Sequence, residues 1–212
     1  MRGDINIDRF VIASALISMW TYVLYSSGSA LIGEKWSDTL KLLIAAPTSL
    51  FHILLVRAMS NSVIALISMI LTFVYARFIF QIQVGIESYS LFFFAVIILV
   101  MSLSVIGISL AMVFVAFQNV FGYQNLIQIP VILISGVFIP VENFPQAIQI
   151  VAYSLPMTWG IQAINEAMVL SPQVYTTMFI TLFISVVYLF LAKFIIAKME
   201  LVLRKDGRLG AI

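Results

Sequence analysis

The chain has 212 residues, of which 63% are hydrophobic and only 9% charged, with a formal net charge of +2; its mean hydropathy is +1.13. A soluble domain carries about 25% charged residues, so a water-soluble body is excluded and the reading is a single integral membrane domain over residues 1–212. So small a net charge gives no grip on nucleic acid, and a chain with no cysteine has no disulfide, no thiolate chemistry and no thiolate metal site.

The first apolar run, residues 10–32, follows Arg2 and Arg9 and ends in the small residues SSGSA. It is longer than the apolar core of a secretory leader, and Asp4 and Asp8 offset the positive start, so it reads as a crossing.

The next stretch, GEKWSDTLKLLIAAPTS at 33–49, is unlike its surroundings. Trp36, Leu40, Leu43 and Pro47 recur at spacings of four, three and four, which puts them on one side of a helix. Ser37 is placed to cap its start, Asp38 to sit in its first turn, and Pro47 disfavours helical geometry at Ala46. The expected element, at about 36–47, is too short to span. Such a stripe either rests on lipid or enters a groove on a partner, and the pattern does not choose between them.

Crossings are expected at 58–80 and 89–117. Arg57 and Arg77 fall at opposite ends of the first, where their stems can snorkel. In the second, Ser102, Ser104, Gly107, Ser109 and Ala111 would let neighbouring helices approach closely. Gln118, Asn119, Gln124 and Asn125 surround Gly122, and are expected to cap helix ends facing water. A fourth, shorter crossing at 123–139 contains Pro130 and is expected to be broken or tilted.

Residues 141–171 hold Pro145 and Pro156, and carry too many polar side chains for a lipid-facing span. Pro156 lacks a backbone N–H and divides the segment into two short helices, neither long enough to cross, hence a re-entrant or surface-lying hairpin. Gln162, Asn165 and Glu166 form one polar face, suited to a vestibule wall or to headgroup contact. The last crossing is expected at 176–197, and Lys193, Lys198, Arg204, Lys205 and Arg208 mark a cytoplasmic C-terminus.

If 141–171 does not span, 33–49 lies on the same side as that tail; if it spans, the two are on opposite sides. Counting Lys and Arg gives eight against three either way, because the two models merely exchange Lys35, Lys41 and Arg57 for Arg2, Arg9 and Arg77. No P-loop pattern is present, the single histidine, His52, cannot build a metal site, and no crossing carries a mid-span charge of the sort that ion-coupled carriers use.

GEKWSDTLKLLIAAPTS followed by LFHILLVRAMSN resembles the cytoplasmic loop of type-2 ABC transporter permeases, where an acidic residue, here Glu34, precedes a Thr-Leu, Leu and Pro run. In this sequence the run is Thr39, Leu40, Leu42 or Leu43, and Pro47. Residues 134–168, ISGVFIPVENFPQAIQIVAYSLPMTWGIQAINEAM, resemble a second segment of that family, and the two lie in the family's order. The resemblance implies an all-α integral membrane protein of about five transmembrane helices, with a cytoplasmic coupling helix at about 36–47 and an outer re-entrant pair at about 141–170.

It further implies an exporter permease without a nucleotide site or cofactor of its own. Its partners would be a separate ABC ATPase subunit seated on Glu34, Trp36, Thr39, Leu40, Leu43 and Pro47, and a second permease chain completing a homo- or heterodimer. Lipid would surround them, and a cargo would pass an outer gate at Pro140, Pro145, Pro156, Trp159 and Glu166. The implied location is the cell inner membrane. The family's members usually have six crossings, so the resemblance places the start of this chain at the equivalent of the second. The cargo is not written in the residues, although oily spans suit a lipid-like, peptide or drug-like molecule. A non-transporting scaffold or immunity protein, and a secondary carrier or channel, are the alternative readings.

Overall fold

A computed structural model describes residues 7–37, 39, 42, 48–115 and 120–206, and all their regular structure is helical. The elements are α1 (Ile7–Trp36), α2 (Leu50–Phe78), α3 (Tyr89–Val115), α4 (Val120–Ile134), a 3₁₀ turn (Val141–Asn143), α5 (Gln146–Ser154), α6 (Pro156–Met168) and α7 (Val174–Asp206). Among the described residues, Leu50–Phe78, Tyr89–Leu110 and Val174–Lys198 are long and apolar enough to cross a bilayer, and Phe10–Ser26 and Gln124–Ile134 are shorter apolar helices.

The expected all-helical membrane architecture is therefore present, with shifted boundaries. α1 continues to Trp36, and α2 begins at Leu50 behind an extended Ser49, well before the expected start at 58. The last apolar helix runs on to Asp206. α4 stops at Ile134 because Gly136 turns the chain with φ +88°, and Val141 Cγ2 stands 3.1 Å from where a side chain would begin.

α1 and α3 are the inner helices. α1 packs on α2, α3 and α4, and α3 also meets α6 and α7. Leu16, Met19, Trp20, Leu99 and Leu103 are fully buried between them. α2 and α7 turn apolar faces outward, Met59, Val63, Ile67 and Ile70 on one, Phe179, Phe183 and Phe190 on the other. Outward-facing apolar helices are what lipid demands.

Because lipid tails are as apolar as leucine, close approach and hydrogen bonding must hold such helices together. Ser102 Oγ lies 2.7 Å from Ser185 Oγ, joining α3 to α7, and Ser104 bonds Ser62 to join α3 to α2. Gly107 is buried on the same helix. The expected packing role of this small-residue row is thus observed for those three; the side chain of Ala111 lies outside the described residues.

Gln124 corrects an expectation. It is fully buried and donates from Nε2 to Leu24 O at 3.2 Å, and Gln128 Nε2 reaches Thr21 Oγ1 at 2.5 Å. Gly122 lies within α4 and marks no turn. This face of α4 is consumed in gluing it to α1, so Gln124 does not cap a wet helix end; the neighbouring Asn125, which Tyr25 bonds, is exposed. Gln118 and Asn119 lie outside the described residues.

Candidate functional site

Two regions come from the sequence, one at each end of the bundle. At the first end, α1 leads into the 37–49 connection and α2 leaves it. Leu50 N donates to Glu200 Oε2 at 3.3 Å, so the start of α2 and the last turns of α7 share this end. Leu50, Leu54, Ala58, Ile108, Ala192 and Ile196 form a small separate core there, tying α2, α3 and α7. Exposed His52 pairs with Ser49 at 2.5 Å and meets the edge of Phe51, a local contact.

Of the six expected docking residues, Glu34 and Trp36 have backbones in the last turn of α1. Thr39 is exposed, with its hydroxyl 2.8 Å from Ser37 Oγ, and Ser37 Oγ donates back to Gly33 O at 2.8 Å. Leu42 is 72% exposed. Leu40, Leu43 and Pro47, and the side chains of Glu34 and Trp36, lie outside the described residues.

At the opposite end, α5 and α6 form the expected broken hairpin. Pro145 precedes α5 and Pro156 opens α6, where a missing N–H goes unneeded. Leu155 between them is extended at φ −86°, ψ 127°, as a residue before proline prefers. Trp159 Nε1 donates to Tyr153 O at 2.8 Å, and their rings stack at a tilt with centroids 5.2 Å apart, which fixes the elbow.

The hairpin dips into the bundle and returns. Tyr188 Oη donates to Ser154 O at 3.3 Å, and Tyr188 stands roughly 21 Å along α7 from Val174 at helical rise. The far end of α6 is back beside the α2–α3 connection, where Glu87 N donates to Met168 O at 3.0 Å. Neither helix crosses. The start of α2 and the end of α7 fall at one end.

The return leaves a cleft of about 540 Å³, walled by α6, the 135–142 segment, the α6–α7 connection, Gly85 and Ile12 from α1. That is the size of a small-molecule site. Glu166 is its fixed carboxylate: Gln162 Nε2 donates to Oε1 at 3.0 Å, and Thr177 Oγ1 lies 2.5 Å from Oε2. Glu142 lines it from the 135–142 segment, Asn165 and Gln173 add amides, and among the described residues no lysine or arginine lines the space. Thr158 also lines it, 2% exposed, with a hydroxyl that meets no partner among the described residues. A buried polar group left so costs about 1–3 kcal/mol.

The expected gate residues are thus divided. Pro140 and Glu166 border the cleft, whereas Pro145, Pro156 and Trp159 are not among its lining residues and instead shape the hairpin. Sequence reasoning missed Thr158, Ser135, Glu142, Gln173 and Thr177. Thr158 was within reach of it, since four residues before Gln162 and eight before Glu166 it extends the same helical face. Glu142 and Gln173 belong to other elements and carry no such signal.

Compared with known proteins, residues 3–169 match a family model described as ABC-2 type transporter, a match running from the N-terminal region through α6. No curated protein and no solved structure gives a significant match.

Proposed function

Since the chain belongs to the ABC-2 type transporter family, we propose that it is the membrane-spanning permease subunit of an ABC exporter, with ATP hydrolysed by a separate subunit. The observation that carries the reading is the pairing of that match with the meeting of the start of α2 and the last turns of α7 at one end, as a five-pass path requires. Of the basic residues whose backbone is described, Lys35, Arg57, Lys193, Lys198, Arg204 and Lys205 lie on the parts of α1, α2 and α7 that lead to that end. The positive-inside rule then makes it the cytoplasmic one, and puts the cleft outside.

In this mechanism the ATPase grips the 36–47 stretch through Trp36, Leu40, Leu43 and Pro47, with Glu34 and Thr39 beside them. Its closure on ATP displaces that stretch. The displacement passes to the end of α1 and the start of α2, and through the small core around Leu54 and Ile196 to α7. ATP can drive this only if the two ATPase states hold the stretch in different positions. A second permease chain completes the pathway, and the 141–170 hairpin gates its outer mouth.

Single cysteines test the orientation on this cysteine-free chain. Ser37 and Gln146 are both exposed. An impermeant thiol reagent added to intact cells is expected to label Ser37→Cys only after lysis and Gln146→Cys before it. The reverse pattern ends the coupling-helix reading.

A further inference from the structure

We infer that the cleft between α6, the 135–142 segment and the α6–α7 connection is a binding site for an ammonium group carried on an apolar body. Three independent features converge on that chemistry. First, the described residues that line the space include two carboxylates, Glu142 and Glu166, and no cationic side chain. An anion entering it meets acceptors of its own sign, whereas a cation makes charge-assisted hydrogen bonds.

Second, Glu166 is already oriented. Gln162 and Thr177 each hold one of its oxygens, so the carboxylate does not have to be ordered when a ligand arrives. A carboxylate oxygen has more acceptor capacity than one donor uses, and so remains open to a ligand N–H.

Third, Thr158, a residue of the same wall, is buried with a hydroxyl that has no partner among the described residues. That hydroxyl has lone pairs free to accept an N–H once a ligand settles against this wall. Ile12, Ile161, Met168 and Val169 supply the apolar remainder of the lining. An acceptor-rich wall beside an aliphatic one fits an amine with a hydrocarbon or aromatic tail better than a bare ion or a sugar.

This inference deepens the exporter reading by naming the chemistry its outer mouth would recognise, but its test needs no ATPase. The purified chain is placed in phosphatidylcholine nanodiscs, and the anisotropy of rhodamine 6G, an apolar fluorescent cation with N–H donors, is followed with empty discs subtracted. Saturable binding is expected, with fluorescein, an anion on a like ring system, failing to bind. Benzylammonium is expected to displace the dye and benzyl alcohol not. Glu166→Gln is expected to weaken the dye by about tenfold, which corresponds to ~1.4 kcal/mol. Thr158→Val and Glu142→Gln are expected to weaken it by at least about threefold, some 0.65 kcal/mol on the same scale.

Glu142 is exposed, so its variant reports even if the variants at buried positions fail to fold. Phosphatidylethanolamine added to the discs decides the source of the natural group. Displacement of the dye assigns the site to a lipid headgroup, and its absence to a soluble amphiphile; both keep the ammonium. Equal affinity for fluorescein, or unchanged dye affinity in Glu142→Gln and in a folded Glu166→Gln, overturns the site. Dye binding without ATPase stimulation in the assembled complex would leave the site standing and count against export.

Discussion

Leu99 fills the place where a side chain at position 160 would stand. A Cβ built on Gly160 would lie 2.5 Å from Leu99 Cδ1 and 3.3 Å from Leu99 Cβ, with both residues buried. This is the point at which the returning helix α6 is seated on α3, and the depth of the cleft depends on it.

Gly160→Ala is therefore expected to lower stability by about 1–3 kcal/mol, the usual penalty for overpacking. Leu99→Ala, which costs stability by itself, is expected in the same chain to give a total loss smaller than the sum of the two single losses. Thermal unfolding in detergent of the two single variants and the double variant measures the coupling. Additive effects would mean that α6 can shift away from α3 without harm.

The serine ladder gives a graded prediction. Ser102 meets Ser185 at 2.7 Å across the α3–α7 contact. Interhelical hydrogen bonds in membrane proteins average about 0.6 kcal/mol, so Ser102→Ala is expected to lower the melting temperature only slightly. Ser102→Leu removes the same hydroxyl but also forces α7 outward, and is expected to lose about 2 kcal/mol or more by overpacking. Similar melting temperatures for the two variants would show that close approach matters less here than the hydroxyl pair.

What the sequence disclosed follows from which forces are local. The apolar runs and Pro156 act along the chain itself, so the all-helical membrane fold and the broken hairpin were legible from them. Helix ends were less so. Nothing in the run around Arg57 announces that α2 has already begun at Leu50, because lipid favours helix on either side of that arginine. Gln124 was misplaced because a glutamine beside Gly122 looks like a helix end, and only the approach of α1 makes it a buried bond to Leu24 O. In the cleft, Glu166 and Gln162 share a helix face and could be paired in advance. Glu142 and Thr177 reach the same region through tertiary folding alone.

The α1–α4 seam carries a prediction in the opposite direction from most substitutions. Gln124 and Gln128 each donate one hydrogen bond to α1, yet each has a buried carbonyl oxygen with no partner among the described residues. Replacing a half-satisfied amide by an apolar group of like shape removes an unpartnered acceptor along with the bond. Gln124→Met is expected to change stability by less than about 1 kcal/mol, of either sign. Gln124→Ala, which also leaves a cavity at a fully buried position, is expected to lose more, about 2 kcal/mol. Equal losses in the two would mean that the amide bond itself holds α4 in place.

The docking stretch makes the sharpest separation between function and folding. Leu40 and Leu43 lie three residues apart on the expected apolar stripe, so Leu43→Asp puts a charge into whatever that stripe enters. Desolvating an unpaired carboxylate there is expected to cut retention of the ATPase subunit during purification by about tenfold or more. The variant is expected to insert and to melt like the parent chain. Glu166→Gln, at the other end of the bundle, serves as the contrast: it is expected to retain the ATPase while losing the cleft's affinity for cations. If Leu43→Asp keeps a full complement of ATPase, the stripe rests on lipid and the partner must be sought elsewhere on that end. If both variants lose it, the ATPase is responding to general damage, and no docking position has been identified.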